Sequence, residues 1–95
     1  MYQLGKHYNK HGIDMGFSSK KEYEQAARDF FEQYKGVAEI YEGTFNSAHG
    51  NNVGMRQIIL RYKDKQLIIS KESGQLIDFY EGTSLNSFID LERVQ

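Results

Sequence analysis

The stretch SSKKEYEQAARDFFEQYKG, residues 18–36, decides the fold, because it specifies where a helix begins, which side is buried and where it ends. Ser19 and Glu22 have the S-x-x-E spacing of a capping box, so a helix should begin at Lys20. Apolar and aromatic side chains then recur at intervals of three and four residues: Tyr23, Ala26, Ala27, Phe30, Phe31 and Tyr34. Gly36 stands where a glycine commonly ends a helix. The stretch therefore predicts an amphipathic helix with a wide aromatic stripe.

The sequence after this helix predicts an antiparallel sheet. Four segments are typical of strands, namely residues 37–45, 55–63, 66–71 and 75–81. Turn-forming residues at 64–65 and 73–74 separate the last three, so consecutive strands should pair as a meander. Residues 85–91 could add either a short helix or a fifth strand.

Residues 3–15 predict a shorter helix ahead of the capped one. At about 100° per residue, one stripe of this helix contains Leu4, Tyr8, His11 and Met15. The whole pattern predicts an α+β domain with two N-terminal helices on one face of an antiparallel sheet of about four strands. The other face of the sheet would be left for a ligand.

Length and composition bound what the chain can be. At 95 residues it should form one domain, residues 1–95, with a small core. It contains no cysteine, which excludes disulfides and thiolate metal sites. No signal peptide and no apolar run long enough to cross a bilayer is evident, so we expect no membrane insertion by this domain itself.

Charge is distributed in alternating segments, although the formal net charge is only −1. Residues 1–21 and 53–73 each carry +3, whereas residues 22–52 carry −4 and residues 74–95 carry −3. This pattern favours one basic and one acidic face, but it is also what charges scattered over a solvated surface can produce.

The two basic segments carry the groups that RNA cleavage without a metal requires. One group removes a proton from the 2′-hydroxyl, another protonates the leaving oxygen, and cations stabilise the charge between them. Histidine suits the proton transfers because its unperturbed pKa is about 6.5, and lysine and arginine suit the charge. The candidates are Lys6, His7, Lys10 and His11 on the first helix, Arg56 and Arg61 on a strand, and the hydroxyls of Tyr80, Thr83 and Ser84.

Each of these residues also has a structural interpretation. A histidine such as His11 on an apolar helix stripe is often part of the core. Histidines four residues apart could bind zinc, but His49 is the only further histidine and no cysteine is available. Arg61 could pair with an acid such as Asp78, and Tyr80 could be a core aromatic.

The string K-H-x-x-K-H-G-x-D-x-G-F-S-S-K-K-E-Y-x-x-A-A-R-x-F, residues 6–30, resembles the N-terminal part of a family of nuclease toxin domains. These are the domains of the barnase/EndoU/colicin/RelE-like superfamily, which end bacterial contact-dependent inhibition proteins and other polymorphic toxins. Residues 10–18, KHGIDMGFS, are similar to the catalytic segment of the colicin D nuclease domain. The resemblance covers residues 6–35 at the level of motifs.

The resemblance implies a barnase/RelE-like fold and an endoribonuclease that cuts transfer RNA without a cofactor or metal. It implies that His11 is the catalytic histidine, that Lys10 binds phosphate and that His7 is the second acid or base. A hydroxyl near the last strands, Thr83 or Ser84, would complete the site. Our predicted catalytic set is His11, His7, Lys10, Tyr80 and Thr83, and our predicted substrate-binding set is Lys6, Arg56, Arg61 and Ser84.

The resemblance also implies a biological setting. The domain would be the C-terminal part of a larger secreted or cell-surface protein, act in the cytoplasm of a target bacterium and be neutralised by a cognate immunity protein. The alternative is a non-catalytic protein-binding module, such as an immunity protein or a phage accessory factor, whose acidic segments would cover a basic partner.

Overall fold

The computed structural model describes residues 12–13, 15–46, 54–82, 84–86 and 88–95. The elements are α1 (Lys20–Tyr34), β1 (Glu39–Phe45), β2 (Arg56–Tyr62), β3 (Lys65–Ser70), β4 (Leu76–Glu81) and β5 (Phe88–Arg93). The strands form a single antiparallel sheet in the order β4-β3-β2-β1-β5. The predicted α+β class is therefore confirmed.

Helix α1 begins at Lys20, as the capping-box spacing predicts. The hydroxyl oxygen of Ser19 accepts a hydrogen bond from the backbone N–H of Glu22 at 3.2 Å. The Glu22 carboxylate in turn accepts from the backbone N–H and the hydroxyl of Ser18, at 3.3 and 2.8 Å. These bonds satisfy backbone donors that the first turn of a helix leaves without partners.

The predicted N-terminal helix, residues 3–15, lies outside the described residues except for Gly12, Ile13 and Met15. These belong to a turn in which Gly12 accepts from Phe17 and Ile13 accepts from Gly16, both at 3.0 Å. The described residues thus contain one helix where two were predicted.

The sheet has five strands rather than about four. Strands β1 to β4 form the predicted meander, because each is hydrogen-bonded to the next. The segment left open between a helix and a strand forms β5, which pairs with β1 at the other edge of the sheet. The chain from Glu81 to Phe88 therefore crosses from one edge strand to the other.

Helix α1 packs on one face of the sheet, which we call the helix-covered face. The core here joins buried side chains of the helix to alternate side chains of the strands: Tyr23, Ala27 and Phe30 against Leu60, Leu67, Ile69, Leu76 and Phe79. The hydroxyl of Tyr23 donates to the carbonyl of Phe79 and accepts from its N–H at 3.1 Å. Because the same hydroxyl satisfies both backbone groups, it fixes α1 against β4.

The other side of the sheet, which we call the opposite face, has a core of its own. Four side chains form it: Ile59, Ile68, Ile77 and Phe88. Leu85, from the crossing connection, packs against them. The expectation that this face is left for a ligand is therefore wrong for its centre, because the connection covers it. No helix among the described residues is long and apolar enough to span a membrane.

Candidate functional site

A row of polar side chains runs across the opposite face at one end of the strands. Glu39 of β1 pairs with Arg61 of β2, Arg61 pairs with Gln66 of β3, and Gln66 pairs with Tyr80 of β4. Directly paired residues place their side chains on the same face of a sheet. We call these four residues the polar row. It brings together Arg61 and Tyr80, two of the predicted site residues.

The Arg61 end of the row is an ion pair supported by a tyrosine. The guanidinium of Arg61 lies 3.3 Å from a Glu39 carboxylate oxygen and donates to the Tyr41 hydroxyl at 2.9 Å. That hydroxyl donates to the same Glu39 oxygen at 2.8 Å. The hydrogen bond from Tyr41, followed by that from Arg61, lowers the pKa of Glu39. These contacts orient the guanidinium, which lies 5.0 Å from the centre of the Tyr41 ring.

Gln66 is the centre of the row and is fully buried, at 0% exposure. Its amide nitrogen donates to the Tyr80 hydroxyl at 3.1 Å and to the Ser84 carbonyl at 3.0 Å. Its amide oxygen has no hydrogen-bond partner among the residues that the structure describes. A buried acceptor without a partner lowers the free energy of unfolding by about 1–3 kcal/mol. The sequence analysis missed Gln66, although a glutamine opening the apolar run of β3 was a usable signal.

The Tyr80 hydroxyl, which accepts the hydrogen bond from Gln66, stays protonated near neutral pH. Burial, followed by the negative charge of Asp78, raises the pKa of Tyr80 to about 12, and the hydrogen bond from Gln66 opposes that rise. Tyr80 also packs against the core of the opposite face. It therefore combines both predicted interpretations, a core aromatic and a polar group of the site.

The predicted hydroxyls near the end of β4 are only partly described. Ser84 lies beside Gln66 through its carbonyl, and its own hydroxyl accepts from the N–H of Asn86 at 3.3 Å. Thr83 lies outside the described residues. The crossing connection therefore brings Ser84 to the polar row.

Arg56 lies on the helix-covered face, away from the polar row. Its guanidinium donates to Glu42 at 3.1 and 3.2 Å and to the Thr44 hydroxyl at 3.0 Å. Arg56 and Arg61 are an odd number of positions apart in one strand, which places them on opposite faces. The structure therefore does not bring the two predicted substrate-binding arginines together. Hydrogen bonding from Lys71, more than from Arg56, lowers the pKa of Glu42.

The four predicted residues of the first helix, Lys6, His7, Lys10 and His11, lie outside the described residues. So does His49, the third ligand considered for a metal. Among the residues that the structure does describe, no three histidine, cysteine or carboxylate side chains lie close enough together to hold a metal ion.

Glu39 and Tyr80 of the polar row cannot exchange protons near neutral pH. Arg61 supplies positive charge, and Tyr80, two strands away at a spacing of about 5 Å per strand, supplies a neutral donor. The pKa of Glu39 is lowered and that of Tyr80 is raised, so neither titrates close to neutrality. Acid–base catalysis at this face would have to use residues from outside the row.

Comparisons of the chain with protein-family models, with curated proteins and with solved structures found no match. The resemblance of residues 6–35 to nuclease toxin domains therefore stays a prediction from the sequence motif, and the function has to be argued from the residues themselves.

Proposed function

We propose that this chain is a metal-independent endoribonuclease domain that binds RNA across the polar row. The observation that carries the proposal is the register that places Arg61, Gln66 and Tyr80 side by side on the face opposite α1. A cation can bind a backbone phosphate, and a neutral hydroxyl can hydrogen-bond to a ribose or a base. The polar row carries both groups on one face. The motif in residues 6–35 adds the acid–base groups that the row itself lacks.

In this proposal each group has a separate role. His11 is the principal acid or base and His7 the second one, because a histidine exchanges protons near pH 7. Lys6 and Lys10 bind phosphate beside them. Thr83 and Ser84 are the candidate hydroxyls at the end of the row.

Arg61 and Tyr80 contact the backbone of the RNA. The guanidinium of Arg61 is held in place by Glu39 and Tyr41, so it is oriented before the substrate binds. Tyr80 donates a hydrogen bond from a hydroxyl that burial keeps protonated. Arg56 takes no part, because it is bound to Glu42 and Thr44 on the helix-covered face.

The substrate and setting that we propose follow from the motif. Transfer RNA is the substrate, a cognate immunity protein is the inhibitor, and the domain is the toxic C-terminal part of a larger secreted or cell-surface protein that acts in the cytoplasm of a target bacterium. Expression of the chain without an immunity partner should then arrest growth.

The test is cleavage of purified transfer RNA and of total RNA with a chelator present. Wild type should cleave, and His11→Ala should cleave about 10²–10⁴-fold more slowly, as expected for the loss of a general acid or base. The matched control is His49→Ala, which removes the histidine outside the motif. Arg61→Ala should weaken RNA binding, and Arg56→Ala should not.

Three results would contradict the proposal. One is a folded wild-type protein that leaves every RNA intact. Another is equal cleavage by wild type and His11→Ala, and a third is cleavage that the chelator abolishes. If Arg56→Ala weakened RNA binding as much as Arg61→Ala, the assignment to the opposite face would be wrong.

A second candidate function is a non-catalytic protein-binding module. It is favoured by the exposed edge strand β5, which presents Asp90 and Glu92 to solvent. An acidic edge strand suits contact with a basic partner. A module of this kind would be harmless when expressed alone and would protect cells from its partner, whereas the nuclease would be toxic.

A further inference from the structure

A second arginine, Arg93 of β5, lies beside the Arg61 end of the polar row. Arg93 pairs directly with Tyr41 of β1, and Tyr41 packs against the core of the opposite face. Directly paired residues share a face of the sheet, so Arg93 lies on the same face as Arg61. Its Nη1 is 3.8 Å from the Glu39 carboxylate oxygen that lies 3.3 Å from Arg61. The two guanidinium groups therefore flank one carboxylate.

The guanidinium of Arg93 is oriented by its Nε alone. This nitrogen donates to the backbone carbonyl of Gln95 at 3.0 Å. The separation of 3.8 Å from Glu39 is too long for a hydrogen bond. Among the residues that the structure describes, neither terminal nitrogen of Arg93 has a hydrogen-bond partner, and the side chain is 60% exposed. The terminal nitrogens can therefore donate to an anion that arrives from solvent.

Positive charge exceeds negative charge at this site, because the carboxylates of neighbouring segments lie on the other side of the sheet. Glu92 pairs with Glu42 on the helix-covered face. Glu81 pairs with Lys65, which lines a cavity beside α1 together with Asp64. None of these four carboxylates faces the two arginines.

The other carboxylates on strands are distant. Asp78 is on β4, three strands from β1, or about 15 Å, and Asp90 is three residues before the end of β5, or about 10 Å along that strand. The part of the chain that the structure does not describe contains one carboxylate, Asp14, against Lys6 and Lys10. It therefore adds no net negative charge, and the site attracts an anion.

Tyr41 holds Arg61 in place within this site. Its hydroxyl accepts from Arg61 at 2.9 Å and donates to Glu39 at 2.8 Å. The guanidinium of Arg61 also lies 5.0 Å from the centre of the Tyr41 ring. Because these contacts exist before a ligand arrives, less side-chain freedom is lost when Arg61 binds it.

We propose that Arg61 and Arg93 together bind one phosphate group, with Tyr41 and Glu39 as positioning residues. The assignment of that group to the RNA backbone rests on the proposed function. Both terminal nitrogens approach the same Glu39 oxygen, so they are at most about 7 Å apart, the sum of their two distances from it. Hydrogen bonds of about 2.8 Å to two different phosphate oxygens can span this separation. Arg93 thus extends the RNA-binding surface to the edge strand β5.

The experiment measures binding without cleavage. The probe is a single-stranded RNA oligonucleotide of about eight nucleotides in which every 2′-hydroxyl is methylated, so that the attacking group is absent. Binding to the full chain is measured by fluorescence anisotropy at several salt concentrations. Each phosphate contact should contribute about 0.7 to the slope of log affinity against log salt concentration.

Variants separate contact from positioning. Arg93→Gln should weaken binding about three- to tenfold and lower the salt slope by about 0.7. Tyr41→Phe keeps the ring but removes the hydroxyl that orients Arg61, so it should weaken binding and leave the salt slope unchanged. Lys71→Gln is the matched control, because Lys71 is 53% exposed and pairs with the Glu42 carboxylate on the helix-covered face. It should change neither affinity nor slope.

Inorganic phosphate locates the site. In NMR spectra of the arginine Nε–Hε groups, added phosphate should shift the signals of Arg61 and Arg93 together and leave that of Arg56 unchanged. A shift of Arg61 without Arg93 would overturn the proposal. If phosphate shifts both signals but the oligonucleotide does not bind, the assignment to the RNA backbone is wrong.

Two further results would overturn the proposal. One is an Arg93→Gln variant with the affinity and salt slope of wild type, and the other is an equal loss of binding in Lys71→Gln. The proposed cleavage fails separately. A protein that binds the methylated oligonucleotide through both arginines but leaves RNA intact would support the phosphate site and contradict the nuclease. A protein that cleaves RNA while Arg93→Gln binds normally would do the reverse.

Discussion

The amide nitrogen of Gln66 donates a hydrogen bond of 3.0 Å to the backbone carbonyl of Ser84. This contact ties the middle of the sheet to the connection that crosses it between the two edge strands. The buried side chain of Gln66 thus couples three features: the register of β3, the path of the crossing chain and the polar row.

Gln66→Leu should lower the free energy of unfolding by about 1–3 kcal/mol. The substitution leaves the Ser84 carbonyl and the Tyr80 hydroxyl without their donor, and this loss outweighs the removal of the unpaired amide oxygen. Urea denaturation is the measurement, with Gln33→Leu on the exposed side of α1 as the control. An unchanged or higher stability of Gln66→Leu would mean that the two hydrogen bonds contribute little.

Tyr23→Phe should destabilise the fold by about 1–3 kcal/mol while leaving its shape unchanged. The Tyr23 hydroxyl donates to the carbonyl of Phe79, and nothing on a phenylalanine can replace that donor. The N–H of Phe79, which also donates to the Asp78 carboxylate at 2.9 Å, keeps a partner. Tyr62→Phe is the matched control. The Tyr62 ring stacks on the Tyr34 ring with 4.1 Å between the ring centres, and a phenylalanine keeps this stacking. Equal losses in the two variants would show that the hydroxyl of Tyr23 does not anchor α1.

Stability should fall at alkaline pH, partly because of Tyr80. Its pKa is raised from 10.0 to about 12 in the folded state, so its contribution is fully present below pH 10 and is lost as the pH rises toward 12. Tyr80→Phe should therefore show a shallower alkaline decline in urea denaturation between pH 9 and 12. If the stability of Tyr80→Phe declined as steeply as that of wild type, the raised pKa of Tyr80 would not be a cause of the alkaline decline.

The pKa of the Glu39 carboxyl group should lie below its ordinary value of 4.5 in the folded protein. Because the folded state favours the charged form, the contribution of Glu39 to stability is present above about pH 4.5 and is lost as the pH falls through the lowered pKa. NMR titration measures this pKa directly. Tyr41→Phe should raise it more than Arg93→Gln, since the Tyr41 hydrogen bond is the largest cause and Arg93 the smallest. If Arg93→Gln raised the pKa of Glu39 more than Tyr41→Phe did, the hydrogen bond from Tyr41 would not be the main cause of the lowered pKa.

Gly43→Ala should destabilise the pairing of β1 with β5 by about 1–3 kcal/mol. A Cβ at this position would lie 2.8 Å from the Leu91 side chain and 3.2 Å from the Cβ of Phe88. The control is Gly36→Ala, where no atom lies within 4 Å of the new Cβ and stability should be unchanged or slightly higher. Comparable stabilities of the two variants would mean that β5 moves freely away from β1.

The sequence by itself determined the elements whose signals are local. The beginning of α1 at Lys20 and its buried side follow from the Ser19 cap and the aromatic spacing, because capping and amphipathic periodicity act within a few residues. Strands β2 to β4 and their antiparallel order follow in the same way from alternation and short turns, and the composition of residues 37–45 predicts β1.

Only the tertiary structure decided how distant segments meet. The sequence left the last segment open between helix and strand, and nothing local indicates that β5 pairs with β1. That pairing sends the connection across the opposite face, which buries Ile59 and Ile68 and brings Ser84 to Gln66. Long-range pairing depends on which buried surfaces and backbone groups find partners across the whole chain, and a window of neighbouring residues does not contain that information.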